Sequence, residues 1–105
     1  MLFRSQDKTP YSEIIELYNS ILLDMPSCEK LTASRKTQIR ARHKNDLGED
    51  VQRWSKFFNY IKTNCSWIGR PREGGKRLNI DWILKESNYI KIREGVYNTE
   101  DRTQA

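Results

Sequence analysis

The chain has 105 residues, a length that favours one domain with a single modest core. Hydrophobic residues make up 36% of it and charged residues 31%, and 19 lysines and arginines exceed 14 acidic residues. No run approaches the roughly 20 apolar residues of a membrane span, and the first residues lack the apolar region of a signal peptide. These features predict a basic, cytoplasmic domain whose natural partner is a nucleic acid or an acidic protein surface.

The first predicted helix begins at Thr9-Pro10. A hydroxyl at the N-cap followed by proline at the first helical position is a typical helix start. Apolar residues then recur at helical spacing between residues 14 and 22. The helix is expected to end within residues 24–27, because Pro26 disfavours helical geometry at the residue before it.

A second helix is predicted after Thr32. Its apolar seam is narrow, with Leu31, Ile39 and Ala41 as members, and the rest of its surface is mostly cationic. Residues 45–48 have the composition of a turn, so the helix is expected to end there.

The third helix has the clearest pattern. Val51, Trp54, Phe58 and Ile61 recur at positions i, i+3, i+7 and i+10, which predicts the central helix of the core. A basic loop rich in glycine and proline follows at residues 69–77, and then a short helix around residues 80–85. Residues 88–97 are expected to be irregular or a brief strand.

These elements predict an all-α fold, a small single-domain bundle of three to four helices with the basic Gly/Pro loop between the third and fourth. The first and third helices and the 80–85 helix are expected to enclose the core. Residues 1–8 are interpreted as an N-terminal extension, residues 9–97 as the helical domain and residues 98–105 as a flexible tail, because the tail has almost nothing to bury.

Few residue patterns in the chain support catalysis or metal binding. His43 is the only histidine and lies in the cationic helix, so we expect an exposed polar residue. Cys28 and Cys65 lack the spacing of a metal or redox motif and are expected to be free thiols, at least partly buried. Glu49 and Asp50 are expected to provide favourable charge at the start of the third helix. We predict no enzymatic activity, no metal and no cofactor.

Two cationic segments remain, the second helix and the loop. A solvated helix face explains the first as well as a binding face does. The loop has four cations against one acid, Glu73. Trp67, beside the loop, is a candidate for stacking on a base, whereas Trp54 and Trp82 fit the core better. The candidate nucleic-acid-binding residues are Arg35, Lys36, Arg40, Arg42, Trp67, Arg70, Arg72, Lys76 and Arg77.

Four segments follow one another in an order that is found in a known domain. They are the helix at 31–42, the aromatic stretch at 54–58, the motif SWIGR at 66–70, and the stretch from DWILK at 81–85 to EGVY at 94–97. Because these segments occur in this order, the chain resembles the C-terminal domain of many bacteriophage and prophage replication proteins over roughly residues 11–97. Those are origin-binding and helicase-loading proteins, often with a winged-helix or DnaD-like N-terminal part.

The sequence departs from that family in two ways. Arg77, Leu78 and Asn79 stand where the family commonly has an aromatic residue, often tryptophan. The N-terminal DNA-binding part is also missing, so the chain is expected to be an excised domain or a small free-standing protein of a mobile element.

The resemblance implies a role in DNA replication. The leading hypothesis is a non-enzymatic accessory domain that binds DNA through its basic surface, single-stranded DNA first and duplex second. One alternative is a protein-interaction module that recruits a replicative helicase or another primosome component, and a further one is a phage inhibitor of a host protein. A basic face suits phosphates and acidic protein surfaces alike, so the sequence leaves these alternatives open.

Overall fold

The fold is known from a computed structural model that describes residues 9–69 and 78–98. Within these ranges the chain forms five α-helices and no β-strand, which confirms the predicted all-α fold. The helices are α1 (Tyr11–Ile21), α2 (Ala33–Asn45), α3 (Val51–Asn64), α4 (Ile80–Leu84) and α5 (Glu86–Arg93), with a 3₁₀ helix at Ser66–Gly69 between α3 and α4. None of the described helices combines the length and apolarity that crossing a membrane requires.

Side-chain caps fix the starts of three helices. Thr32 Oγ1 accepts a hydrogen bond from the Arg35 N–H at 3.1 Å and so begins α2. Asp50 begins α3 and Asn79 begins α4 in the same way. These bonds pair backbone N–H groups that have no partner inside the helix. The predicted start of α1 was one residue early, because Pro10 is itself the N-cap, and its side chain cannot cap the helix.

Residues 88–97, for which an irregular segment or a brief strand was expected, lie mostly in α5. Only Tyr89 and Ile92 of this helix are buried, so its sequence carries no full apolar stripe. The helix ends at Arg93, and Gly95 follows two residues later with a φ of 80°, which favours glycine. The N–H groups of Gly95 and Val96 donate to carbonyls of the last turn at 3.1 and 2.9 Å, a pattern that closes many helices.

Most of the buried core residues come from α1, α3 and α4. Trp54 and Phe58 are fully buried, as the apolar stripe of α3 predicted. Tyr18 of α1 meets Phe58 edge to face, with ring centroids 5.8 Å apart. The short helix α4 adds Ile83 and Leu84 to the same cluster. The three helices predicted to enclose the core all contribute to it, but α2 adds Ile39 and α5 adds Tyr89 and Ile92, which the prediction left out.

Polar side chains of α1 hold the long connection to α2 in place. The Tyr18 hydroxyl donates to the Pro26 carbonyl at 2.7 Å, and burial keeps the pKa of this hydroxyl well above its usual value. The Asn19 side chain bonds to both the N–H and the carbonyl of Cys28, at 2.8 and 3.2 Å. Cys28 and Cys65 are both free and buried, which confirms that prediction.

The prediction that His43 is exposed was wrong. His43 is only 4% exposed, and its Nδ1 accepts a hydrogen bond of 2.9 Å from Trp54 Nε1. Among the apolar residues of α2 only Ile39 is buried, and Leu31, expected in the seam, is 36% exposed. The helix therefore packs through polar side chains that a hydrophobicity pattern does not detect.

Removing a large aromatic side chain from the centre of the core should remove most of the stability of so small a domain. Replacing Trp54 or Phe58 by alanine is expected to lower the free energy of unfolding by about 3 to 5 kcal/mol, measured by urea denaturation. Leu23, which is 72% exposed, provides the control, since Leu23→Ala should change this value by less than about 0.5 kcal/mol. A core variant as stable as the Leu23 variant would contradict the placement of α3.

Candidate nucleic-acid interface

Arg35 joins α2 to α4 and is not a free surface cation. Its Nε and Nη2 donate to the two carboxylate oxygens of Asp81 at 3.0 and 3.1 Å, and its Nη1 donates to the Lys30 carbonyl at 3.0 Å. The hydrogen bond to Asp81 is the main reason that the pKa of Arg35 is raised. With 18% of its side chain exposed, Arg35 has little surface left for a phosphate.

Arg42 lies inside the domain, which corrects its predicted place on the binding surface. It is 5% exposed, and its Nη1 lies 3.0 Å from Asp46 Oδ2, one helical turn away. The two atoms are close enough for an ion pair but do not meet the geometry of a hydrogen bond. The guanidinium carbon also lies 5.5 Å from the ring centroid of Tyr89. A side chain enclosed in this way cannot reach a phosphate at the surface.

The two other candidate cations of α2 lie together beside Tyr11 of α1. Lys36 is exposed, with its Nζ 5.4 Å from the Tyr11 ring centroid. Arg40 is half-buried and donates from Nη1 to the Tyr11 hydroxyl at 3.2 Å. Of the four candidate cations of α2, only Lys36 and Arg40 therefore lie nearer the surface, and the helix does not offer the broad cationic face that its sequence suggested.

Trp67 belongs to a group of three aromatic residues, which we call the aromatic cluster: Trp67, Trp82 and Tyr97. The Trp67 ring is nearly perpendicular to the other two rings, with centroids 6.1 Å from Trp82 and 5.6 Å from Tyr97. Its Nε1 donates to the Tyr97 carbonyl at 2.6 Å. All three residues are half-buried, so Trp82 is less enclosed than the sequence indicated.

The aromatic cluster brackets the basic loop in the chain. Trp67 precedes Arg70 by three residues, and Trp82 follows Arg77 by five. The loop cations Arg70, Arg72, Lys76 and Arg77 lie outside the described residues. Sequence reasoning selected Trp67 but missed Trp82 and Tyr97 as its neighbours, because their meeting depends on the packing of α4 and the end of α5.

A second cationic site lies between α3 and α5, and sequence reasoning missed it. Arg53 and Lys56 of α3 and Arg93 of α5 line a cleft of about 320 Å³ whose wall includes Phe57 and Tyr60. The available signal was the spacing of Arg53 and Lys56, which share the polar side of α3. The site itself was not recognised, because the helix that carries Arg93 was not predicted.

Within the described ranges no three histidine, cysteine or acidic residues are placed to hold a metal ion. Cys65 is fully buried, and burial raises the pKa of its thiol to about 11. The thiol therefore stays protonated near neutral pH, and a protonated thiol is a poor nucleophile. The absence of enzymatic activity stays a prediction.

Comparison with protein-family models found no matching family, and searches among curated proteins and solved structures found no significant match. The resemblance to the C-terminal domain of phage replication proteins therefore stays a prediction as well.

The structural role of Arg35 can be measured with a double-mutant cycle. Arg35→Gln and Asp81→Asn should each destabilise the domain, and the coupling between them should be about 1 kcal/mol, because Asp81 is partly exposed to solvent. Urea denaturation of the single and double variants gives this value. Strictly additive effects would mean that the ion pair does not hold α4 against α2.

Proposed function

We propose that the chain is a non-enzymatic DNA-replication accessory domain of a phage or mobile element, and that it binds nucleic acid, single-stranded DNA first. The observation that carries the proposal is the aromatic cluster, because Trp67 and Trp82 lie on either side of one of the two cationic segments of the sequence. Residues 70–77 contain four cations and one carboxylate, a large share of the net charge of +5.

We expect single-stranded DNA to be preferred over duplex because only a single strand leaves the faces of its bases accessible to the protein. In a duplex the faces of the bases are stacked within the helix, whereas a single strand can place a base on an aromatic ring. Stacking of one base on an aromatic side chain is worth about 1 to 3 kcal/mol. The half-buried rings of the cluster are held by their mutual contacts and by the hydrogen bond from Trp67 to Tyr97, so binding would order little that is not already in place.

The basic loop should contribute more than α2. Arg35 and Arg42 are engaged inside the domain, so only Lys36 and Arg40 of that helix lie at the surface as candidate contacts. We therefore propose Arg70, Arg72, Lys76 and Arg77 as the main phosphate contacts.

Neutralising the loop should weaken DNA binding and flatten its dependence on salt. Changing the four loop cations to glutamine should reduce the slope of log K against log salt by about 0.7 for each phosphate that the protein no longer neutralises. Anisotropy of a labelled single-stranded oligothymidylate gives the slope. The charge-matched control replaces four exposed lysines that lack an ion pair within the described ranges: Lys30, Lys62, Lys85 and Lys91.

Tryptophan fluorescence tests the stacking in the same titration. Trp54 is fully buried, so quenching on DNA binding should come from Trp67 and Trp82 and should decrease in Trp67→Phe and Trp82→Phe variants. Equal losses of affinity in the loop variant and its control would mean that only net charge matters. No binding at low salt would reject the proposal.

A second candidate function is recruitment of a protein such as a replicative helicase. It is favoured by an apolar cleft of about 140 Å³ whose lining includes Leu22, Met25 and Ile61. Leu23 also lines this cleft and is 72% exposed, and a large apolar side chain exposed beside an apolar cleft is typical of a protein-binding surface.

The Leu23→Asp variant separates the two functions. It should abolish binding to a purified replicative helicase and lower DNA affinity only by the small effect of one added negative charge, because Leu23 is exposed and lies outside the aromatic cluster. Size-exclusion chromatography of the mixed proteins measures the first effect. Wild-type protein that does not bind the helicase would remove this candidate, whereas binding that blocks unwinding would favour an inhibitor.

A further inference from the structure

The cleft between α3 and α5 has the composition of an anion site. We call it the basic cleft; Arg53, Lys56 and Arg93 provide its cations, and Leu47, Phe57 and Tyr60 complete its lining. The three cations are exposed, whereas Phe57 is buried and Tyr60 half-buried. Positive groups from two helices therefore converge above an aromatic floor.

No carboxylate neutralises these cations within residues 9–69 and 78–98. The acids that precede Arg53 in the chain have other partners. Asp46 pairs with the buried Arg42 at 3.0 Å, Glu49 lies 3.8 Å from Lys44, and Asp50 caps α3. Three like charges around one cleft repel one another, so an anion that enters it gains from all three.

Arg93 is held by neighbouring groups, and Arg53 lies close to Gly48. Arg93 donates from Nη1 to the Tyr89 hydroxyl at 2.7 Å, and its guanidinium lies 5.7 Å from that ring's centroid. Tyr89 in turn packs on Phe57, with ring centroids 4.9 Å apart. The Arg53 side chain lies close to Gly48: a Cβ atom added to Gly48 would come within 3.2 Å of the Nη1 of Arg53. Gly48 has a φ of 61°, so the turn both needs glycine and leaves room for Arg53.

We propose that the basic cleft binds the phosphate group of a nucleotide or of a nucleic-acid strand. Arg53 and Arg93 can each donate two parallel hydrogen bonds to phosphate oxygens, and Lys56 adds a third charge. The Tyr60 ring, fixed by its hydrogen bond to Asn98 at 2.6 Å, provides a surface for the adjoining sugar or base. The volume lies at the lower end of small-molecule sites, which suits a phosphate with one nucleoside.

This site is separate from the aromatic cluster and does not require the proposed function. A free nucleotide can occupy the cleft whether or not the cluster binds a strand. The test therefore uses inorganic phosphate, dTMP and single-stranded oligothymidylate as three separate ligands of the full chain, each followed through the backbone amide resonances of Arg53, Lys56, Tyr60 and Arg93.

The informative variant is R53Q/K56Q/R93Q, and its charge-matched control is K62Q/K85Q/K91Q. Both remove three exposed cations, so the fold should be retained, and thermal unfolding of each variant verifies this. The cleft variant should lose at least about tenfold in affinity for the ligand that binds, because charge-assisted hydrogen bonds are removed. The control should lose less than about threefold, since it changes only the overall charge.

The three ligands also distinguish the source of the phosphate. Saturable shifts at the cleft with dTMP would assign it to free nucleotides, and shifts with the oligonucleotide alone would assign it to a strand; both support the inference. No saturable shift with any ligand, or equal losses in the two variants, would overturn it. Binding of dTMP without binding of the oligonucleotide would reject the DNA proposal and leave the cleft assignment intact.

Discussion

The hydrogen bond from Trp54 to His43 is the contact on which the arrangement of α2 and α3 depends. It lies at the centre of the core, joins the two helices at 2.9 Å, and gives the indole N–H and the imidazole nitrogen a partner away from water. For the indole to donate, Nδ1 of His43 must carry a lone pair. The site therefore fixes both the packing of α2 and the protonation of this nitrogen.

The same dependence on polar contacts extends along α2. Ile39 is the one buried apolar residue of α2, and polar contacts add to it: Arg35 reaches Asp81 on α4, and Arg42 lies near both Asp46 and the ring of Tyr89. Cations that appear in the sequence as a solvated or binding face thus serve the fold. The two remaining candidate cations of α2, Lys36 and Arg40, lie beside Tyr11, and three more cations line the basic cleft. The candidate anion sites therefore lie mainly outside α2, although α2 is the helix with the most cations.

Sequence reasoning succeeded where the signal is local. The apolar stripe of α3 and the helix start at Thr32 act over one or two turns, and they were predicted correctly; Asp50 was expected only as favourable charge, and the structure shows that its side chain also caps α3. It failed where the partner is distant in the chain, as with Arg35 and Asp81, which are 46 positions apart. The aromatic cluster and the basic cleft belong to this second kind, because each combines residues from elements whose packing no spacing rule encodes.

The C-terminal turn of α5 links the two candidate sites in the chain. Arg93 of the basic cleft and Tyr97 of the aromatic cluster flank Gly95, whose left-handed backbone reverses the chain. Tyr60, in the cleft wall, donates to Asn98 just beyond this turn and so fastens the turn to α3. Any other residue at Gly95 would adopt its φ of 80° only under strain. A bound strand that touched both sites would cross this turn, so its fixed geometry would set the spacing between a phosphate in the cleft and a base on the cluster.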